Sequence, residues 1–317
     1  MPLAAGERRV AWAAKTALLP LVAIAALPGC ARAQISIEGP SVALSRPVSV
    51  RSAGLNGAGA ALVGNAGAVF SNPAGIATIR HIGIEAGYRT TPSEGSLHSG
   101  ALAWRIRQFD LGVGVARYRF GSEFGAQPLP GVPTDVHARE YAGVGTLVYR
   151  FGIIALAGSG KYVRRLVDDV SESAFSGDAG LAIAIFDIVA IGFSMQNIGG
   201  RWGGYGEAIT LPGLTRLAMM WNYVDPLETF RLLSTVEIQW PDGADSRIVL
   251  GGEGGMVFGG VGLFARAAYA TEVEESIYSS MSYGGSVTMS NLAFDYAYQE
   301  HDLNGIAAHR FGFRLSL

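Results

Sequence analysis

Large apolar residues alternate with small or polar ones, stretch after stretch, and this period of two constrains the chain to β-structure. In Val189-Ala-Ile-Gly-Phe-Ser-Met-Gln196 the large residues are Val189, Ile191, Phe193 and Met195. In Asn291 to Gln299 they are Leu292, Phe294, Tyr296 and Tyr298. At the far end Phe311, Phe313, Leu315 and Leu317 alternate with Arg310, Gly312, Arg314 and Ser316. Successive side chains of a strand point to opposite faces, so each stretch has one apolar and one small or polar face.

A soluble sandwich shows the same alternation, and two further features favour a membrane barrel. Charges sit mid-strand on the face opposite the apolar one: Arg105, Glu237, Glu253, Arg266, Asp295 and Arg314. A membrane barrel needs such a polar face for its lumen. Connection length is the second feature. Fourteen candidate strands lie near 80–91, 97–107, 109–120, 140–150, 153–165, 174–186, 188–197, 213–223, 229–240, 246–257, 261–270, 279–289, 291–299 and 307–317. Short connections fall near Gln108, Gly152, Asp187, Val224 to Glu228, Phe258 to Gly260, and Ser290. Longer ones alternate with them: Gly121 to Arg139, Leu166 to Ser173, Ile198 to Pro212, Thr271 to Tyr278, and Glu300 to Ile306. Pro92 to Ser96 and Pro241 to Asp245 are shorter exceptions on that side. Short turns on one rim and long loops on the other are the habit of outer-membrane barrels, the short rim facing the periplasm. The expected fold is all-β: a transmembrane, antiparallel, up-and-down barrel of about fourteen strands, spanning 80–317.

Composition agrees, with 16% charged residues and 49% hydrophobic. After residue 33 no run supplies the roughly 18 charge-free apolar residues of a spanning helix. The nearest, Gly180 to Met195, is split by Asp187. Residues 1–33 read as a signal peptide: Arg8, Arg9 and Lys15 precede the largely apolar Thr16 to Gly29, and Ala31-Arg32-Ala33 offers a small-x-small cleavage site. Lipid attachment at Cys30 competes, although Pro28 fits it poorly. Cleavage after Ala33 removes the single cysteine, Glu7, Arg8, Arg9, Lys15 and Arg32. That takes 24 basic and 26 acidic residues to 20 and 25, from a net charge of −2 to −5. Such a surface is a poor partner for phosphate backbones, so no nucleic acid is expected.

Residues 34–79 differ in character, being dominated by small residues. Within them Ser71-Asn72-Pro73-Ala74-Gly75 suggests a short helical turn, with asparagine at the cap and proline at the first position. An ordinary capped turn is the competing reading. The stretches Leu55-Asn-Gly-Ala-Gly-Ala-Ala-Leu-Val63 and Ala68-Val-Phe-Ser-Asn-Pro-Ala-Gly-Ile76 resemble the N-terminal signature of PorV/PorQ-type proteins, which belong with the FadL-like barrels. The resemblance continues through Phe193 to Gly199, Leu211 to Leu217, Phe294 to Tyr298 and His309 to Leu315. It implies a bacterial outer-membrane barrel with residues 34–79 as a plug in or under the lumen. Members often carry acidic residues before the asparagine-proline stretch, where this chain has Gly64-Asn65-Ala66-Gly67. The terminal pattern of Phe311, Phe313, Leu315 and Leu317 resembles the signal read by the barrel-assembly machinery, with leucine in place of the usual final phenylalanine.

Motifs for chemistry are missing. His81, His98, His137, His301 and His309 lack metal-ligand spacing. Gly158-Ser-Gly-Lys161 departs from a phosphate loop, with Ala155 at the first glycine and Tyr162 at the Ser/Thr. Gly57-Ala-Gly59 lacks the third glycine of a dinucleotide fingerprint, Leu62 standing there, and there is no Gly-x-Ser-x-Gly elbow. The expectation is a non-enzymatic protein with no cofactor and no metal. Lumen-facing candidates are Arg105, Lys161, Glu237, Glu253, Arg266, Asp295, Arg310 and Arg314, expected chiefly to pair with one another. Membrane lipids are expected partners. The resemblance leaves two activities open: passage of a hydrophobic ligand, or secretion of exported protein cargo. Cargo would be held at the loops Gly121 to Arg139 and Ile198 to Pro212, with Pro128, Pro130, Pro133, Trp202 and Tyr205 as anchors. A purely structural barrel is a third reading.

Overall fold

The computed structural model describes residues 41–91, 95–120, 138–167, 170–186, 188–202, 209–225, 229–271, 280–300 and 307–317. Fourteen antiparallel strands form one closed barrel. They are β1 (Ile82–Thr91), β2 (Gly95–Ile106), β3 (Phe109–Phe120), β4 (Ala138–Phe151), β5 (Ile154–Val167), β6 (Val170–Ile185) and β7 (Val189–Ile198). The circuit continues with β8 (Leu214–Val224), β9 (Phe230–Pro241), β10 (Arg247–Phe258), β11 (Val261–Ala270), β12 (Met281–Met289), β13 (Leu292–Gln299) and β14 (Ala308–Ser316). Each strand pairs with its sequence neighbours, and β14 closes the ring on β1, from Gly83 opposite Ser316 to Thr90 opposite His309. Closure leaves no unpaired edge, as a sheet in hydrocarbon requires.

The period-two pattern decides which way each residue faces. On β3, Asp110, Gly112, Gly114 and Ala116 are buried, whereas Leu111, Val113 and Val115 are exposed. The same division recurs around the barrel, with Trp104, Leu147, Leu156, Leu250, Leu263 and Phe294 on the outer face. A continuous outer belt of large apolar side chains is stable only in lipid, so the barrel is transmembrane. Phe311 and Leu317 are exposed and Phe313 and Leu315 half-buried, the Phe313 ring 5.6 Å from that of Phe294.

The short connections are tight turns at one rim. Gly259 and Gly260 join β10 to β11 with φ of 57° and 83°, the positive values a two-residue type I′ hairpin demands. One connection differs from the reading of the sequence. The expected loop Leu166 to Ser173 is mostly strand, since β5 and β6 extend until Val167 pairs with Val170. The outward residues there, Ser171 and Ser173, are polar. A strand that projects beyond the lipid has no need of an apolar outer face, so hydrophobic alternation stops before the hydrogen-bonded ladder does. The other long connections lie mainly outside the described residues, including Pro128, Pro130, Pro133 and Tyr205.

Candidate functional site: the occupied lumen

Residues 41–79 run inside the barrel. Two single-turn helices, α1 (Val42–Ser45) and α2 (Val50–Ala53), are followed by two 3₁₀ turns, Ala66–Phe70 and Pro73–Thr78. At the long-connection end Ala43 and Val48 pack with Leu97, Tyr118, Phe120, Val163, Trp202 and Leu211. Farther in, Leu55 to Leu62 pack against Ala190, Ala218, Met220 and Val249. The two 3₁₀ turns lie against Ala101, Ala103, Val148, Ala155 and Ala182. The chain then leaves for β1, whose first residues pair at the short-turn rim.

Small residues on both partners permit this closeness. A Cβ at Gly192 would overlap the Ala60 carbonyl, and one at Gly180 would overlap Asn72. At Gly112 it would lie 2.7 Å from Val69, and at Gly114 2.6 Å from Phe70. These inward glycines form a cradle for the segment, which enters it as backbone at Gly192 and as the side chains of Val69, Phe70 and Asn72 at the other three.

Carboxylates from the wall hold the segment's backbone. Glu237 on β9 accepts hydrogen bonds from the Gly59 and Ala60 amides, both at 2.8 Å, and from Arg216 and Gln239 at 3.1 and 2.6 Å. Arg216 also donates to the Gly57 carbonyl at 2.7 Å. Glu140 accepts from the Ala43 amide at 2.9 Å and from Arg165 at 3.3 Å, and Glu85 accepts from the Gly67 amide at 3.1 Å. A buried amide without an acceptor costs about 1–3 kcal/mol, so these contacts offset part of the cost of an irregular backbone in a closed interior.

Asn72 joins three pieces. Fully buried, its Nδ2 donates to the Ala60 and Leu181 carbonyls at 2.6 and 3.0 Å, and its Oδ1 accepts from the Ala74 amide at 3.1 Å. The Ser71 hydroxyl donates to Gly59 at 3.3 Å, Ser194 to the Ser71 carbonyl at 3.1 Å, and Gln196 to the Phe70 carbonyl at 2.7 Å. Pro73, Ala74 and Gly75 are buried in the turn that follows, and the Gly75 carbonyl accepts from the Gly64 amide at 2.8 Å. The stretch is therefore a helix cap and a tie to both β6 and the preceding segment.

The eight charged residues singled out in the sequence all sit at inward strand positions. Glu253, Arg266, Asp295 and Arg314 form one network with Arg51 of the segment. Arg51 and Arg266 reach Glu253 at 2.7 and 3.0 Å, and Arg266 and Arg314 reach Asp295 at 3.1 and 2.5 Å. Ser286 also bonds to Asp295. Lys161 pairs with Asp178 at 2.8 Å and donates to Asn197 at 2.9 Å. Arg310 donates to the Pro47 carbonyl at 2.5 Å and to Gln299 at 2.9 Å. Arg105 donates to the Ala77 carbonyl at 2.5 Å and pairs with Asp110 at 3.3 Å.

Sequence reasoning missed Glu85, Asp110, Glu140, Asp178 and Arg216. Each has the inward parity of its strand, but lies near a strand end or beside glycines that blur the alternation. Trp202, expected as an exposed anchor, is instead buried, with the Arg165 guanidinium 4.8 Å over its ring. The bridge between Arg201 and Thr210 turns that connection inward.

Toward the short-turn rim the lumen is not filled. A cavity of about 340 Å³ is lined by Val63, Val189, Met220, Leu233 and Phe264 on its apolar side, and by Arg51, Arg231, Glu253 and Arg314 on its charged side. A second cavity of about 370 Å³ adjoins it through Arg231, Phe264, Thr288 and Arg314, and reaches Gly260, Ser290 and Ser316 at the rim. Both fall within the roughly 300–1,000 Å³ of small-molecule sites. Among the described residues no group of three or more His, Cys, Asp or Glu side chains is placed to hold a metal ion.

No family model and no curated protein matches the sequence. The fold, in contrast, is shared with solved structures. The toluene transporter TbuX of Ralstonia pickettii superposes with a TM-score of 0.58 at 13% identity, over 86% of this chain and 98% of that one. The monoaromatic hydrocarbon channel CymD gives 0.55 at 13%, over 86% and 97%. A FadL homologue of Pseudomonas aeruginosa gives 0.52 at 12%, over 85% and 97%. Identity this low makes the likeness one of fold. The molecule is thus a transmembrane β-barrel with the architecture of these hydrocarbon channels, its lumen occupied by its own N-terminal segment.

Proposed function

We propose that this barrel sits in the bacterial outer membrane and passes hydrophobic small molecules, with residues 34–79 acting as a plug that controls access through the lumen. The observation that carries the reading is the cavity beneath the segment, half apolar and open toward the short-turn rim. At the long-connection end Ala43 and Val48 of the segment pack against Leu97, Tyr118, Phe120 and Trp202. Neighbours in fold that are described as toluene transporters and a monoaromatic hydrocarbon channel support the substrate class. The PorV/PorQ resemblance rests on the quoted motif residues. The segment makes no strand pairing with the wall and is held by apolar packing together with hydrogen bonds and ion pairs, which suits an element that yields to a ligand. In proteoliposomes the full chain should raise entry of an apolar aromatic probe such as N-phenylnaphthylamine above that of empty vesicles. Deleting 41–61 should change that rate. Equal entry with and without protein, unaltered by the deletion, would overturn the reading.

A further inference from the structure

We infer that the short-turn rim beside β1–β4 is a binding surface for the head groups of anionic phospholipids. Four arginines and a histidine meet there: Arg80, His81, Arg105, Arg107 and Arg150. The register brings them together. Arg105 donates its backbone N–H to the His81 carbonyl at 2.8 Å, Arg150 donates its own to the Gln108 carbonyl at 2.9 Å, and the Arg150 side chain bonds to the Arg107 carbonyl. Asp110 is the only carboxylate side chain of the described residues paired within this group, and it is shared by Arg105 and Arg150 at 3.3 and 2.7 Å. It is fully buried behind them. Arg80 and Arg107 are exposed, and neither makes a side-chain hydrogen bond or ion pair among the described residues. Four guanidinium groups stand against the Asp110 carboxylate and the carboxyl group of Leu317, whose oxygen accepts from the His81 amide at 2.9 Å, an excess of two positive charges.

The position of the charge favours lipid over a soluble anion. Immediately beyond the cations, on the outward face of the same strands, stand Trp104 at 53% exposure, Phe109 at 40%, Tyr149 at 43% and Phe151 at 71%. The Phe109 and Tyr149 rings are 5.3 Å apart. A phospholipid is the ligand whose phosphate and acyl chains would meet those two features at that spacing. Indole and phenol rings settle at the head-group level, and each surface arginine attracts anionic lipid by a term worth about 5-fold in binding. The opposite side of the rim differs. There the β8–β9 turn carries Asp225, which accepts from Thr229 and from the Phe230 amide, and the described residues 221–225 and 229–231 hold one arginine, Arg231.

Tryptophans report both sides. Trp104 pairs with Ile82 and Leu111 just beyond the patch, whereas Trp221 is exposed near the end of β8, across the barrel. Full-length protein carrying W12F/W221F/W240F keeps Trp104 together with the buried Trp202. The W12F/W104F/W240F form keeps Trp221 instead. Each would be placed in nanodiscs containing phosphatidylcholine and phosphatidylglycerol, with bromines on the acyl chains of one lipid at a time. The expected result is preferential quenching of Trp104 by brominated phosphatidylglycerol, no preference at Trp221, and a preference that shrinks at high salt. In Arg80→Gln and Arg107→Gln the preference at Trp104 should fall by about 5-fold each, and in the double variant by about 25-fold. Both sites are exposed, and heat-modifiable gel mobility checks that the barrel is intact. Equal quenching by the two lipids at Trp104, or a preference unchanged in the double variant, would overturn the proposal and point to a periplasmic macromolecule as the occupant.

Discussion

Replacing Glu237 by alanine tests whether wall carboxylates hold the segment in the lumen. The side chain is fully buried and accepts four hydrogen bonds, two of them from consecutive amides of the segment. Alanine leaves those amides without an acceptor and Arg216 without its carboxylate, although Arg216 keeps the Gly57 carbonyl. Breaking a buried pair costs about 3–5 kcal/mol, and the Gly57 carbonyl that Arg216 keeps brings the expected loss down to about 2–4 kcal/mol. Because the amides belong to the segment, most of that loss appears as easier local opening. At a tenfold change per 1.4 kcal/mol, the opened population should rise roughly 30- to 700-fold. Glu237→Gln keeps one acceptor oxygen and should fall between the parent and the alanine variant. The assay is maleimide labelling of Ala58→Cys in a Cys30→Ser background. Ala58 is fully buried, so its labelling rate reports opening. If the parent, glutamine and alanine forms label within twofold of one another, Glu237 is not a clasp and the segment is held by packing alone.

Four further outcomes follow from neighbouring contacts. Asn72→Ala should destabilise the folded barrel by about 2–4 kcal/mol, since the cap and two carbonyl contacts are lost together; a denaturant titration of the heat-modifiable form measures it. Asn72→Asp should be worse, because a carboxylate would face the Ala60 and Leu181 carbonyls with no donor to offer them. Gly192→Ala should expose Ala58→Cys to label, because its Cβ would overlap the Ala60 carbonyl; the outward-facing Gly145→Ala, with nothing within 4 Å of its Cβ, should not. Phe264→Ala, which joins the two short-turn cavities, should raise probe entry in proteoliposomes several-fold while leaving the unfolding midpoint nearly unchanged.

The barrel was legible because its rule is local. Alternation fixes which face is apolar, and a strand crossing lipid cannot conceal the pattern; the strand starts and ends read from the residues differ little from those observed, β6 excepted. At β6 the sequence stops alternating at Ser173, yet pairing runs on to Val170. Backbone hydrogen bonds continue wherever two strands remain adjacent, and no side chain records that. The charged interior was partly legible for the same reason. Asp295 stands out between Phe294 and Tyr296, whereas Asp178 sits among glycines and alanines where neither face is marked, at a shift of register between β6 and β7. The contacts between segment and wall were not legible. Glu237 meets Gly59 and Ala60 from 178 and 177 residues away, and only the folded geometry joins them.

The inward glycines show how the segment and the wall constrain each other. A wall built only to close a lumen would fill it with side chains from its own strands. Here Gly112, Gly114, Gly180 and Gly192 withhold theirs, and the vacated space is taken by the segment, as Ala60 backbone at Gly192 and as the side chains of Val69, Phe70 and Asn72 at the others. That exchange brings irregular backbone into the lumen, whose amides then require acceptors. Glu85, Glu140 and Glu237 provide them. Each glutamate is buried, so its oxygens in turn require donors, and the segment's amides are part of that set. Removing the segment would leave Glu237 with only Arg216 and Gln239. Wall and segment therefore stabilise one another through these polar contacts as well as through the apolar packing of Leu55, Leu62, Val69 and Ile76. An interior of this kind can loosen at its polar contacts one at a time while the backbone ladder between neighbouring strands stays paired.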